Sequence, residues 1–458
     1  MEDTAYQGTI TRRALLGAGA GGVVTAIAAP YASAARRLPR PRPPVEGSWP
    51  VPAHDLHASR RGGPVRALRE RWRHSLPGGI PGTAALAHGR SYAASLGGGI
   101  AAFVLADGRE LWRRDLGTAT YGSGESAREL GFFGGVALAE TSVVVASDRV
   151  FCLDAHTGAT RWETSPLRGS ASDDYFWGPP VVAEGLVLVG SGSGGERPDT
   201  RGRLTAYSLV DGAVVWSTPT VPAGGNGGGV IAPASVDLRL GVAYITTGSP
   251  YQVVAGANPG TCSLIAMRLT DGSVEWVDQV YEADTHGFDF NSAPVIIGRV
   301  VVAANKDGFY GWDRIARERL WHRRLTDAIP PGSTTAGPTS GPEGGPVATD
   351  GARVFVLSND ASSNRAVAAA LDPSTGKIVW QAELGSLSFA APALAGDLLC
   401  AAQADGTLSA LSTRDGALVA RVDLGQPSTG AATAAAGRLV VGTGAEPYLP
   451  GDSLVCLG

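Results

Sequence analysis

Residues 142–162, Ser142-Val-Val-Val-Ala-Ser-Asp-Arg149-Val-Phe-Cys-Leu153-Asp-Ala-His-Thr-Gly158-Ala-Thr-Arg-Trp162, decide the fold. Two apolar segments, 142–146 and 149–153, read as neighbouring strands. An Asp/Gly turn follows, in which Gly158 takes a left-handed conformation at no Cβ cost, as a tight hairpin needs. A last strand carries Trp162, whose indole can lie flat on an adjoining sheet and bury on the order of 150–250 Å².

The same spacing recurs along the chain. Gly108 leads to Trp112, Gly212 to Trp216, Gly272 to Trp276 and Gly376 to Trp380. Two copies are worn: Arg317 takes the glycine place before Trp321, and Gly416 leads to Ala420. Self-similarity at about 40–60 residues denotes a propeller or solenoid, and four strands with their turns fill about 40–45 residues, one propeller blade. A β-sandwich lacks this repeated spacing from turn to tryptophan.

Seven copies run from about Gly82 to Leu424. Before them stands a lone final strand, Leu68-Arg-Glu-Arg-Trp72. After them come Gly437-Arg-Leu-Val-Val-Gly442 and Asp452-Ser-Leu-Val-Cys456, which lack a final strand. The fragments complete each other, so the expected fold is all-β: an eight-bladed propeller over residues 49–458, closed by pairing the N-terminal strand with the C-terminal ones. That closure leaves no blade edge unpaired.

Composition agrees. Sixty-four glycines and 30 prolines in 458 residues suit many tight turns, and 44% hydrophobic residues suit a large core. A net charge of −4 argues against nucleic acid or an anionic membrane as partner. Arginine far outnumbers lysine, since Lys306 and Lys377 are the only lysines. Cysteines 152, 262, 400 and 456 stand apart, without the C-x-x-C-H of an attached haem and without zinc spacing, and no disulfide is indicated.

Residues 1–34 read as a twin-arginine export signal: Thr11-Arg12-Arg13-Ala-Leu-Leu16, a small-residue apolar run to Ala29, and a cleavage site at Ala32-Ser-Ala34. The alternative, a membrane anchor, would have to span with about 16 weakly apolar residues, short of the usual ~20. The charges of the signal cancel, so the mature chain keeps −4, and it is expected in the periplasm, cell wall or extracellular space with no membrane attachment after cleavage. Residues 35–48, including Leu38-Pro-Arg-Pro-Arg-Pro-Pro44, read as an extended linker.

Strands of a blade alternate in direction, so the second-to-third turn and the blade-to-blade connection open on one rim. The long segments fall only there: 163–178, 217–230, 277–291 and 322–345 between blades, 193–203 and 249–261 within them. Loops concentrated on one rim of a rigid scaffold place the candidate site at that channel mouth.

Several of these loops resemble quinoprotein alcohol dehydrogenases, nearest their polyvinyl alcohol dehydrogenase branch. Val189-Gly-Ser-Gly-Ser193-Gly-Gly-Glu196 with Arg201-Gly202 resembles the family's glutamate segment. Gly227-Gly-Gly-Val-Ile231 and Tyr244-Ile-Thr-Thr-Gly248-Ser249-Pro-Tyr251 resemble its next blade. Phe288-Asp289-Phe290-Asn291 resembles its catalytic aspartate loop, Asn305-Lys306-Asp-Gly308 its quinone-contacting hairpin, and Trp49-Pro with Asp55 and Arg60 its opening segment.

In that family pyrroloquinoline quinone (PQQ) lies over a calcium ion at the channel mouth. The resemblance implies that Glu196, Ser249 and Asp289 would ligate calcium, a cation that takes oxygen donors. It implies further that Asp289 would take the proton of the substrate hydroxyl, that Lys306 would hold the quinone oxygens, and that Ser193 and Ile231 would contact the cofactor. Three departures stand beside this. The family stacks its quinone on a tryptophan where this chain has Ile231, ligates calcium with an asparagine where it has Ser249, and often adds adjacent cysteines that are absent here. Two readings follow: an exported dehydrogenase oxidising an alcohol or polymer with PQQ and calcium and no haem, or a non-catalytic propeller that binds protein or polymer at the loop-rich rim.

Overall fold

The computed structural model describes residues 48–121, 127–167, 174–193, 200–252, 258–336 and 340–458. The signal and linker expected over 1–48 fall outside these residues, apart from Ser48. The described residues form strands and turns, with no helix long and apolar enough to cross a membrane.

Eight four-stranded antiparallel blades make up the molecule, each running from an inner to an outer strand. Blade 2, the stretch quoted first above, is Ala137–Ala139, Ser142–Ala146, Val150–Asp154 and Thr160–Glu163. Blades 1 and 3 to 7 begin with the inner strands Ala85–Ala87, Val181–Ala183, Ser235–Asp237, Val295–Ile297, Val347–Thr349 and Ala393–Ala395. Blade 8 closes the ring as expected: Glu70–Ser75 pairs antiparallel with Ser453–Leu457, which continues to Arg438–Gly442 and Thr433–Ala435.

The repeated glycine and tryptophan work between blades. Each turn glycine lies beneath the indole of the preceding blade: a Cβ on Gly108 would come within 2.6 Å of Trp72, on Gly158 within 2.6 Å of Trp112, on Gly212 within 2.6 Å of Trp162, on Gly272 within 2.4 Å of Trp216. In five of these copies the indole N–H then donates to a carbonyl of that next turn, Trp112 to Ala155, Trp162 to Leu209, Trp216 to Leu269, Trp321 to Pro373 and Trp380 to Thr413. This satisfies the one polar atom of an otherwise buried ring.

The two worn copies follow from the same contact. Arg317 holds the left-handed conformation (φ 61°) that glycine holds elsewhere. In this register Arg317 meets the preceding blade, where its guanidinium reaches the carbonyl and the carboxylate of Glu275, next to Trp276. Ala420 stands in blade 7, whose neighbour is blade 8. The third and fourth strands of blade 8 come from remote parts of the chain, so no turn joins them and an indole would have nothing to cover.

The lead-in segment lines the channel. An inner strand pairs on one side only, leaving backbone groups toward the axis. The carbonyls of Trp49, Pro50, Leu56, His57, Ser59 and Arg60 accept from Leu86, Leu138, Val236, Ile296, Thr349 and Leu394, the inner strands of blades 1, 2, 4, 5, 6 and 7. Residues Arg61–Gly62 then pair in parallel with Leu394–Ala395. Trp49 is fully buried in the cluster that joins blades 7, 8 and 1. Cysteines 152, 262, 400 and 456 are free and buried.

Candidate functional site

The loop-rich rim carries a continuous polar arc across blades 3 to 6. At its start, the Ser193 N–H donates to the Tyr251 hydroxyl at 2.9 Å. That hydroxyl is packed against Gly229, where a Cβ would come within 3.0 Å of it and 3.9 Å of Ile231. A side chain at 229 would press on the Tyr251 hydroxyl and on Gly192. Next, the Ser249 N–H donates to Asp289 Oδ1 at 2.7 Å. The Ser249 hydroxyl donates to the buried Asp284, which also accepts the N–H groups of His286 (2.8 Å) and Phe288 (2.7 Å). Asp284 thus shapes the loop that presents Asp289.

Blade 5 supplies the far end. Asn305 Oδ1 caps the Lys306–Asp307 turn by accepting from Asp307 and Gly308 N–H groups at 2.9 and 3.1 Å. Lys306 Nζ lies 3.5 Å from Glu343 Oε1, with both side chains largely covered (16% and 14% exposed). Asn291 Nδ2 donates to the other Glu343 oxygen. Burial, with Asp289 nearby and only partly offset by Lys306, pushes the Glu343 carboxyl up to about 8. Asp307 points away and is neutralised by Arg324 at 2.5 Å, with the Tyr281 hydroxyl donating to it at 2.6 Å.

Three further buried side-chain atoms in this stretch, Asn291 Oδ1, Asn305 Nδ2 and Ser340 Oγ, lack a hydrogen bond, and Glu343 Oε1 has only its ion pair with Lys306. Each such atom is costly unless something completes it. These donors and acceptors are of the kind an oxygen-rich planar quinone takes, on the side of blades 5 and 6, but all are closed off from solvent in this structure. The opposing side differs. Half-buried Ile231 offers no flat aromatic face, but its backbone abuts Gly178, next to Trp177. Trp177 donates to the Gly192 carbonyl at 3.3 Å and packs with Tyr121, Phe133 and Tyr175.

Ser193, Ile231, Ser249, Asp289 and Lys306 therefore lie along one arc of one rim. Glu196 lies outside the described residues. Among those described, no group of three or more His, Cys, Asp or Glu side chains is placed to hold a metal ion. The hydroxyl of Ser249 is already bonded to Asp284, so Asp289 is the one carboxylate among the named candidates that the described arc presents. Sequence reasoning missed Glu343. Its signal was the repeated Pro that opens an inner strand, as in Ala293-Pro294-Val295 and Gly345-Pro346-Val347, each preceded within a few residues by an acid.

The fold and this mouth define an eight-bladed β-propeller of the PQQ-repeat class. The chain belongs to the PQQ-repeat family described as outer membrane protein assembly factor BamB, which it matches over residues 96–339 and 317–451. It is similar to the polyvinylalcohol dehydrogenase of a Pseudomonas species, 27% identical over 65% of this chain and 51% of that protein. It is also similar to the outer membrane protein assembly factor BamB of Bordetella pertussis, 27% identical over 79% of this chain and 81% of that one. The chain spans about half the length of the dehydrogenase relatives it matches. Among solved structures, the quinohemoprotein alcohol dehydrogenase of Comamonas testosteroni superposes with a TM-score of 0.75 at 18% identity, over 90% of this chain and 80% of that one. BamB of Moraxella catarrhalis gives 0.56 at 17% identity, over 85% and 97%. These structural likenesses establish the fold.

Proposed function

We propose that the protein is an exported quinoprotein-type dehydrogenase that oxidises an alcohol at the loop-rich mouth, with PQQ and calcium. The observation that carries this reading is the Asp289, Lys306 and Glu343 cluster on that rim, in which Lys306 pairs with Glu343 and the neighbouring Asn291 Oδ1, Asn305 Nδ2 and Ser340 Oγ lack a hydrogen bond. Similarity to two dehydrogenases supports it. Bound PQQ would supply a two-electron acceptor, the hard part of the chemistry.

The chain's own residues would do the rest. Asp289 holds one oxygen against the Ser249 N–H and keeps Oδ2 to receive the substrate's hydroxyl proton. Lys306 would donate to the quinone oxygens, with Glu343 fixing the ammonium from behind. Glu196 and Asp289 would hold calcium, with Ser249 beside them. Export through the twin-arginine signal, to the periplasm or beyond, belongs to the same reading.

The second reading, a propeller that binds a protein or polymer without turnover, is favoured by Ile231 and by likeness to BamB over four fifths of its length. Reduction of an artificial dye by primary or secondary alcohols, with added PQQ and calcium, separates the two. Turnover lost in Asp289→Asn supports the dehydrogenase; no turnover with any alcohol, together with capture of a protein partner, supports the scaffold.

A further inference from the structure

Blade 2 ends early. Its outer strand, Thr160–Glu163, has four residues, where the outer strand of each other blade has six. Past Glu163 the chain stays on its own blade: the Thr164 N–H donates to the Val150 carbonyl at 3.0 Å, and the Leu167 N–H to the Asp148 carbonyl at 2.9 Å. The rim end of the facing side of blade 3 is thereby left without a strand against it.

That side of blade 3 carries small polar residues where its neighbours carry bulk. Strand alternation puts Ser191, Arg203, Thr205, Tyr207 and Ser217 toward blade 2, where Tyr207 packs with Val144, Val150 and Cys152. Blade 3 pairs Thr205 with Ser217, at the rung where blade 2 pairs Phe151 with Glu163 and blade 4 pairs Ile265 with Val277. The result is a cleft of about 260 Å³ with these hydroxyls in its wall. The Thr205 and Ser217 hydroxyls lie 2.9 Å apart, and Arg203 Nη1 donates to Ser217 at 3.1 Å. Arg201, held from Nη1 to the Val221 carbonyl at 3.2 Å, lines the cleft together with Asp174. Ser191 also lines it. That residue is 4% exposed, and its hydroxyl has no hydrogen-bond partner among the described residues. Buried hydroxyls are nearly always paired, so this one points to a group that the cleft receives.

We infer that the cleft between blades 2 and 3 binds a small polyhydroxy compound, a sugar or a polyol. The lining decides the class. Serine and threonine hydroxyls both donate and accept, the guanidinium groups donate, and the Asp174 carboxylate accepts, which is the mixed set that adjacent hydroxyls require. A simple anion would meet Asp174, and an apolar ligand would leave the Ser191 hydroxyl unpaired. Tyr207 and Leu167 add an apolar wall for the C–H face of such a compound. The volume lies just below the ~300–1,000 Å³ of ordinary small-molecule sites and suits a single sugar unit. The inference does not rest on the dehydrogenase reading, since Lys306 and Glu343 stand on the side of blades 5 and 6.

D-Glucose and xylitol are the probes, with sodium sulfate as the anion control. Saturation-transfer NMR on the full chain should show saturable enhancement of the probe protons, with a Kd of roughly 1–10 mM. Ser191→Ala should weaken binding about 2- to 10-fold, the worth of one hydrogen bond. Thr205→Phe, which installs the residue type of blade 2, should abolish it by filling the cleft. Should that variant fail to fold, Ser217→Leu blocks the cleft from an exposed strand position and should abolish binding too. The inference is overturned if neither probe binds saturably, if Ser191→Ala and Ser217→Leu both bind as the wild type does, or if sulfate binds at Arg201 and Arg203 where the sugars do not.

Discussion

Replacing Glu343 with glutamine should stabilise the protein, and increasingly so as pH rises. The carboxyl sits near 8 in the folded chain, raised chiefly by burial, against an ordinary value of 4.5. The folded state therefore holds a proton that the unfolded state releases between those values. Stability linked to this group is fullest below about 4.5 and falls as pH climbs toward 8. At ~1.4 kcal/mol per pH unit the whole window amounts to at most ~5 kcal/mol. Water entry at a side chain 14% exposed lowers this, and ~2–3 kcal/mol is a realistic share. With unfolding entropy near 2.1 cal/mol/K per residue over roughly 410 propeller residues, that is ~2–3 °C in Tm. Differential scanning calorimetry of wild type and Glu343→Gln from pH 5 to 8.5 reads it directly. The two should nearly coincide at pH 5, with the variant ahead by the full amount at pH 8.5. A gap independent of pH, or a variant less stable at pH 8.5, would refute the claim that a destabilised carboxylate is held beside Lys306.

The blade contacts give further tests, all readable from urea midpoints. Trp162→Ala should cost ~3–5 kcal/mol through lost transfer and a cavity. Gly89→Ala and Gly272→Ala share φ 70°, but only the second drives a Cβ to 2.4 Å from Trp216; the first should lose ~1–2 kcal/mol and the second ~1–3 kcal/mol more. Arg317→Gly removes a left-handed arginine at the expense of an exposed ion pair with Glu275, and should gain ~0.5–1 kcal/mol. At the mouth, Asp289→Asn should abolish alcohol-dependent dye reduction while quinone binding measured by calorimetry stays nearly unchanged, whereas Glu196→Gln should weaken that binding.

Blade count, ring closure and the common rim were legible because their signals are local. A turn glycine, a tryptophan four residues on and an alternating strand lie within one short window. What that window hides is the partner. Gly272 looks like part of the copy that ends in Trp276, yet it packs under Trp216 of the preceding blade. Ala420 read as wear, and only the closure at blade 8 explains it. Glu343 escaped for the same reason: it acquires its character from Lys306 and Asn291, far from it in sequence. Ser193, Ser249, Asp289 and Lys306 were identified from family-like segments, and the turn geometry of a propeller then carries them to one rim.

The central claim is that the mouth beside Asp289 and Lys306 binds PQQ. Isothermal titration of PQQ into the exported form of the protein, with calcium present, tests it most directly. The account predicts saturable one-site binding, weakened by Lys306→Ala and tightened by Ile231→Trp, whose indole adds a stacking face worth ~0.5–1.5 kcal/mol beyond burial. Absence of binding in both the wild type and Ile231→Trp would contradict it and leave the rim as a surface for a protein or polymer.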